Sequence, residues 1–247
     1  MLATIITEEQ WLKLKSILLD LNVYDKPSLK ETFLGIIYRL KTGCQWRYLP
    51  SCYGKANTVF KAFRRWSASG LFYRLFKRLI KDADMEWVSI DATHVRAHQS
   101  SAGSAGDDYQ YIAKSVGGNS SKIHLAVDAH GNPIEFIVSD GVTHDIKIAP
   151  MLLQLLDLQD TEFLNADKGY DSEEFRSLAY SQGVRANIPR KKNAKSNNSH
   201  MDWLIYQARH VVENTFANLK HFRALSSRYD KLLNSYISTV ALACGLI

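Results

Sequence analysis

The sequence predicts an α/β protein: a small all-helical N-terminal domain over residues 1–86, then a domain over 87–247 built on a mixed five-stranded sheet flanked by helices. Three observations lead there. In the first third, apolar residues recur at helical spacing. From Glu86 onward, β-rich runs with period-two alternation take over and are interleaved with helical ones. Positive charge also divides the chain. Residues 1–86 carry 15 Lys and Arg against 8 Asp and Glu, while 87–247 carry 16 against 17, for a net charge of +6. A basic first third joined to a neutral remainder points to a polyanion as partner of the first part.

With 247 residues and 46% hydrophobic composition, the chain can build a sizeable core. No run of about 18 apolar residues occurs, so no membrane-spanning helix is expected. The opening MLATIITEEQ lacks the pattern of a signal peptide, and three cysteines without paired metal spacing suit a reduced compartment. A cytoplasmic location is therefore expected.

The first helix should open at the capping box Thr7-Glu8-Glu9-Gln10 and the second at Ser28-Leu29-Lys30-Glu31, stopping near Gly43. After the loop GCQWRYLPSCYGKA, Asn57 is placed to cap a third helix, TVFKAFRRWSASG. Its Val59, Phe63 and Trp66 share one side, while Lys61, Arg64 and Arg65 look outward. The arrangement is helix-turn-helix-like, with the third helix as the reader of DNA. A further amphipathic helix, LFYRLFKRLIKDAD, leads into the second domain.

There, EWVSIDATHVRAH reads as a strand and residues 100–121, rich in Ser and Gly, as a mobile loop. KIHLAVDA and IEFIVSDG alternate around His130-Gly131-Asn132-Pro133, a β-hairpin with one buried face. A helix, the short strand in TEFLNAD, a helix closed by Gly183, the strand in VRANIP and the basic loop RKKNAKSNNSH follow, and a long helix ends the series. Three strands, helix, strand, helix, strand, helix is the order of ribonuclease H-like nuclease folds.

Three acids fall at matching places on this frame. Asp91 lies inside the first strand, with Val88 and Ile90 on other positions; Asp167 ends the strand FLNAD; Glu213 sits on the last helix, away from its apolar side. Crowded carboxylates repel unless a cation holds them, and hard oxygen donors suit Mg²⁺ or Mn²⁺. Two such ions can serve phosphodiester chemistry. On the same helix Tyr206, Arg209, Glu213 and Lys220 fall within about a 60° sector at 100° per residue, opposite Leu204, Val211, Val212, Leu219 and Phe222.

These residues resemble a known family. GCQWRYLP, FRRW, SIDATHVRAH, SSKIHLAVDAHGNPIEF, VTHD, NADKGYDS and SSRYDKL are similar to segments of DDE-type bacterial insertion-sequence transposases, of the insertion-sequence-five group. YQARHVVENTFANLK fits that group's spacing of Tyr, Arg, Glu and Lys without a mismatch. The resemblance implies a catalytic triad of Asp91, Asp167 and Glu213 that binds two Mg²⁺ or Mn²⁺ ions per active site. It also implies that Tyr206, Arg209 and Lys220 serve the DNA end. The expected partners are double-stranded DNA, as terminal inverted repeats and target, and a second copy of the chain in a homodimer on DNA. The expected activity is cleavage and strand transfer. Two features depart from the group: AKSVGGNSS carries few basic residues, and the sequence stops in the apolar run ALACGLI, where a polar ending is usual.

Other residues are read more plainly. His94 and His98 orient neighbours or pack; His144-Asp145 lacks a second His-Asp set for a metal centre; Lys168-Gly169-Tyr170 is a turn that positions Asp167. Arg190, Lys191, Lys192 and Lys195 form a basic loop expected to touch DNA phosphates.

Overall fold

The computed structural model describes residues 6–80, 82–102, 109–192, 194 and 196–247. The chain divides into two compact units. One holds residues up to Leu79, His98–Gln110 and Leu219–Ile247; the other holds Ile80–Ala97 and Tyr111–Asn218. This differs from the expected division at residue 86, because the last 29 residues group with the helices at the start of the chain.

In the helical unit, α1 (Glu8–Asp20) opens as expected, with Thr7 and Gln10 exchanging both bonds of a capping box. Ser28 makes no side-chain cap to α2 (Leu29–Thr42); its carbonyl instead accepts from the Thr32 hydroxyl at 2.7 Å. The N-cap of α3 (Ala56–Ala68) is Lys55, so Asn57 lies within the first turn rather than before it. α4 (Leu71–Leu79) follows after Gly70. Trp46, Phe63, Phe72 and Trp66 form a chain of rings with centroids 5.2–6.1 Å apart. The apolar run near the end of the chain is the buried body of a C-terminal helix, Leu233–Cys244. It belongs to this unit, where buried Arg39 reaches Asp230 at 3.1 Å and the Thr239 hydroxyl donates to the same carboxylate at 2.9 Å.

The other unit is built on β1 (Trp87–Ala97), β2 (Ala113–Ser115), β3 (Gly118–Val127), β4 (Pro133–Asp140), β5 (Phe163–Asn165) and β6 (Arg185–Asn187). β4, β3, β1, β5 and β6 lie in that order; β1 and β4 run antiparallel to β3, whereas β5 and β6 are parallel to β1. That is the ribonuclease H-like order. The stretch 100–121 is not all loop: β2 turns back on Gly118–Ser120, sharing with β4 one edge of β3. Residues 103–108 lie outside the described residues. One face of the sheet carries the main core, where Val88, Ile90, Ala126 and Leu164 pack with α5 (Asp145–Gln154) and α6 (Glu173–Ser181) through Leu152, Leu153 and Phe175.

Two devices position the remaining helices. The basic loop is followed by α7 (Trp203–Gln207) and α8 (His210–Lys220), not by one long helix. The amides of Ala208, Arg209, Val211 and Val212 bond three residues back, to Ile205, Tyr206, Ala208 and Arg209, which tightens the junction and shifts the helical phase. Leu204, expected on the apolar side, is consequently exposed. α8 is fastened to the β3–β4 turn: the Thr215 hydroxyl donates to the Gly131 carbonyl at 2.6 Å. That turn is organised by buried Asp128, whose carboxylate accepts from the His130 and Asn132 amides and the Asn132 side chain. Gly131 has φ +87, and a Cβ there would stand 3.2 Å from both Thr215 Oγ1 and Val211 Cβ.

The second device is a buried polar row. Ser89, Asn165 and Asn187 stand side by side on β1, β5 and β6, all at most 1% exposed. Asn187 donates to Asn165 Oδ1 at 2.9 Å, donates to the Asp202 carbonyl at 2.9 Å and accepts from the Asp202 amide at 3.0 Å. Asp202 in turn caps α7 by accepting from the Ile205 amide at 3.0 Å. The side chain of Asn187 thus serves as an extra strand pairing that anchors the entry to α7.

Both devices have measurable energies. Gly131→Ala forces a side chain into a left-handed turn against α8 and should lower urea-determined stability by about 1–3 kcal/mol. Asn187→Ala strands buried donors and acceptors on Asn165 and Asp202 and should cost about 2–3 kcal/mol. A loss below about 0.5 kcal/mol in either variant would contradict the corresponding role.

Candidate active site

Period-two alternation puts Asp91 two residues beyond Ser89, and the chain puts Asp167 two beyond Asn165; Ser89 and Asn165 are direct partners on the parallel pair β1–β5. Both acids therefore stand beyond the same register point of neighbouring strands, Asp91 within the longer β1 and Asp167 just past the carboxyl end of β5. Asp167 begins a single 3₁₀ turn, Lys168–Tyr170, and accepts from the Gly169 amide at 2.8 Å. A Cβ on Gly169 would lie 2.8 Å from Asp167 Oδ1, so the close approach needs glycine. This is the positioning turn expected at Lys168-Gly169-Tyr170.

Glu213 lies in the first turn of α8, exposed, while Val212, Thr215 and Phe216 of that helix are buried. The three acids share one electrostatic neighbourhood. Burial pushes the Asp91 carboxyl up to about 6, and the charges of Asp167 and Glu213 act in the same direction; the Ala92 amide, at 2.8 Å, and the Arg209 guanidinium oppose them. Arg209 stands between two of the acids, pairing with Glu213 and reaching Asp91 Oδ2 at 3.5 Å. Its guanidinium also lies 5.8 Å from the Tyr206 ring, which meets Trp203 edge-on at 5.8 Å. Arg209 is thus held by carboxylates rather than turned outward. Lys220 is exposed in the last turn of α8.

Among the described residues no three His, Cys, Asp or Glu side chains stand together as a ready-made metal cage. Asp91, Asp167 and Glu213 nonetheless supply only hard oxygen donors, and the upward pressure on Asp91 is what a cation would relieve. The donor set fits Mg²⁺ or Mn²⁺, with Arg209 as the positive charge beside it.

The other sequence candidates separate. Lys61, Arg64 and Arg65 are exposed on α3 as expected. Arg190 is not a free basic residue: it pairs with Glu173 and lies 3.4 Å from Asp171. The Lys191 amide donates to the Asp171 carboxylate at 2.8 Å and its ammonium to the Asp171 carbonyl at 3.1 Å. These two residues brace the loop to α6, and Arg176 joins them on Asp171 at 2.9 Å. Arg190 and Lys191 thus have local partners; Lys192 is exposed, and Lys195 lies outside the described residues. His144 only precedes α5, and Asp145 is taken by buried Lys122 at 2.8 Å. Burial brings the nearby His124 imidazole down to about 4, so it is a neutral packing group. His98 stacks on Tyr229, with ring centroids 4.4 Å apart.

Sequence reasoning missed Ser89, Asn165, Asn187 and Asp202. A signal was present, since Ser89 and Asn165 precede the two strand acids at the spacing that places them on the same face.

Comparison with known proteins agrees with this frame. Residues 82–246 match the family of transposase DDE domains, and residues 6–76 match a family described for transposases of the IS4/5 type. A Brucella ovis protein named for the transposase of insertion sequence element IS6501 is 32% identical over 128 residues, covering 51% of this chain and 96% of that protein. A Burkholderia cepacia protein named for the transposase of insertion sequence element IS402 is 30% identical over 139 residues, covering 51% of this chain and 62% of that protein. A solved Mos1 transposase paired-end complex with the left transposon end aligns at 13% identity over 90% of this chain and 78% of that one, with a TM-score of 0.29, too low to carry weight. The family match runs through most of the chain, from before β1 to the C-terminal helix, and takes in all three acids; the chain belongs to the DDE transposases.

Proposed function

We propose that this chain recognises the terminal inverted repeats of its insertion sequence, cuts at the element's ends and joins the resulting 3′ hydroxyls to target DNA. The observation that carries the reading is that Arg209 pairs with Glu213 and reaches Asp91, whose carboxyl is pushed up by burial and by the charges of Asp167 and Glu213. Such a cluster is costly to keep in a protein that only binds DNA.

Asp91, Asp167 and Glu213 would hold two Mg²⁺ or Mn²⁺ ions, which when bound activate an attacking hydroxyl and steady a leaving oxygen. The protein's part is to hold the donors. Asp167 is fixed by the Gly169 amide, Asp91 by its strand and the Ala92 amide, and Glu213 by the docking of α8. Arg209 balances the acids in the metal-free chain. Its planar fork also suits a phosphate, so the same residue can turn to the DNA end once metal supplies the charge. Tyr206 offers a ring for a base or a hydroxyl for a phosphate, and Lys220 a point charge for the backbone. Lys61, Arg64 and Arg65 on α3 would read or grip the repeat, with Lys192 adding a phosphate contact. Assembly as a homodimer on DNA would let two ends be processed together.

Two measurements test the site. In the folded chain the Asp91 carboxyl is raised from its ordinary 3.8 to about 6, so ionising it erodes stability as pH rises through that interval, and the full loss is present above it. In metal-free solution Asp91→Asn should therefore stabilise the protein at pH 8 by up to about 3 kcal/mol, with little gain at pH 4. No gain at pH 8 in urea unfolding would count against the crowding of the acids. The second test is joining of a precut element end to target DNA. Wild type should join it, and Asp167→Asn should lose at least about a thousandfold in rate while still binding the end. Full activity in Asp167→Asn would remove that residue from the triad, and wild-type hydrolysis without joining would reduce the protein to a nuclease.

A further inference from the structure

The helical unit contains a cleft of about 670 Å³ between the turn that follows α1 and the junction of α3 with α4. Its first wall follows from one residue type. α1 ends with Asn22 at φ 62, its amide bonded to the Leu19 carbonyl at 2.9 Å and the Val23 amide bonded to the Leu18 carbonyl at 2.9 Å. This is a left-handed helix stop that asparagine tolerates better than other non-glycine residues. It turns Val23 into the core and leaves Tyr24 83% exposed at the mouth of the cleft, followed by Lys26. The opposite wall is Trp66, buried edge-on against Phe72 at 6.1 Å, flanked by Arg65 and Arg74. Arg74 is held in place, its Nη1 donating to the Ser69 carbonyl at 2.5 Å.

Among the described residues no acidic one lines this cleft. Among the described residues, none of Lys26, Arg65 and Arg74 has a carboxylate within ion-pair distance, and neighbouring Asp25 is taken by Lys15 at 2.9 Å. Cations left unbalanced on a concave, low-dielectric surface focus their field and attract a polyanion. The exposed Tyr24 ring adds a stacking platform of the kind that holds a base or sugar beside a bound backbone. The volume is within the roughly 300–1,000 Å³ typical of ligand clefts.

We propose that this cleft is an anchoring site for the phosphate backbone of DNA, formed by Lys26, Arg65 and Arg74 with Tyr24 against the adjoining nucleoside. Arg65 is shared with the outward face of α3 that presents Lys61 and Arg64, and Lys26, Arg74 and Tyr24 extend the contact beyond that face. The inference rests on the reading of the chain as a DNA-binding transposase and adds a second point of contact, which would fix the helical unit in orientation as well as in place.

The test uses the full chain, a labelled duplex of about 30 base pairs and EDTA, with anisotropy followed from about 50 to 200 mM KCl. The double variant Lys26→Gln/Arg74→Gln should flatten the log–log salt dependence by up to about two units and weaken binding at 100 mM salt by about ten- to a hundredfold. Lys26→Gln alone, which breaks no hydrogen bond, should flatten the slope by about one unit and keeps the test sound should the double variant misfold. Tyr24→Ala should weaken binding at every salt concentration while leaving the slope unchanged. Unchanged slope and affinity in Lys26→Gln and in the double variant, with loss in Lys61→Gln/Arg64→Gln, would overturn the cleft and leave α3 as the contact. Wild-type protein that binds no duplex at low salt would overturn the cleft together with the DNA-binding reading.

Discussion

Negative charge gathered at the middle of β1, just beyond the end of β5 and on α8 has to be balanced, and Arg209 is where the balance is struck. Its guanidinium pairs with Glu213 and reaches Asp91 at 3.5 Å, while burial and the neighbouring acids hold the Asp91 carboxyl near 6. The cluster could not persist on a soft frame, because each acid would turn to water or take up a proton. The frame is therefore tied on both sides. Gly131 lets Thr215 dock α8 on the hairpin, and Asn187 locks the start of α7 through both backbone groups of Asp202. The short connection between those anchors carries Tyr206, Arg209 and Glu213.

The same constraint separates two kinds of basic residue. Arg176, Arg190 and Lys191 all converge on Asp171, and Lys122 on Asp145, so these cations stabilise the catalytic frame. Lys61, Arg64 and Arg65 have no carboxylate partner among the described residues and belong to the unit that carries the chain's excess positive charge. Charge alone did not distinguish the two groups; the position of the nearest carboxylate did.

Much of this was legible in the sequence, for identifiable reasons. Asp91 and Asp167 could be placed because each follows a short β-rich run, with apolar Val88 and Ile90 before Asp91 and Phe163 and Leu164 before Asp167. Gly183 ends α6 in a left-handed turn, with its own amide and that of Val184 bonded back to Tyr180 and Ala179, as its place after SEEFRSLAYSQ implied. What stayed hidden depended on distance or on backbone detail. The junction between α7 and α8 rests on bonds three residues back, which a helical wheel does not register. The ion pairs of Arg190 were not legible because its partners, Asp171 and Glu173, come almost twenty residues earlier. The C-terminal helix reads as apolar from sequence, but its grouping with the first helices is a matter of long-range packing. The role of Asn187 was hidden as well, since the strand in VRANIP was legible but its partner Asp202 comes 15 residues later.

The central claim is that Asp91, Asp167 and Glu213 form a single cation-binding site whose charge Arg209 balances when metal is absent. Calorimetric titration of Mn²⁺ into the full chain at pH 7.5, checked by electron paramagnetic resonance, tests this most directly. The account predicts saturable binding of two ions per chain in wild type, tighter binding in Arg209→Gln because the competing guanidinium is gone, and loss of that binding in Glu213→Gln. A folded wild-type protein that binds no Mn²⁺, or an affinity indifferent to both substitutions, would contradict it.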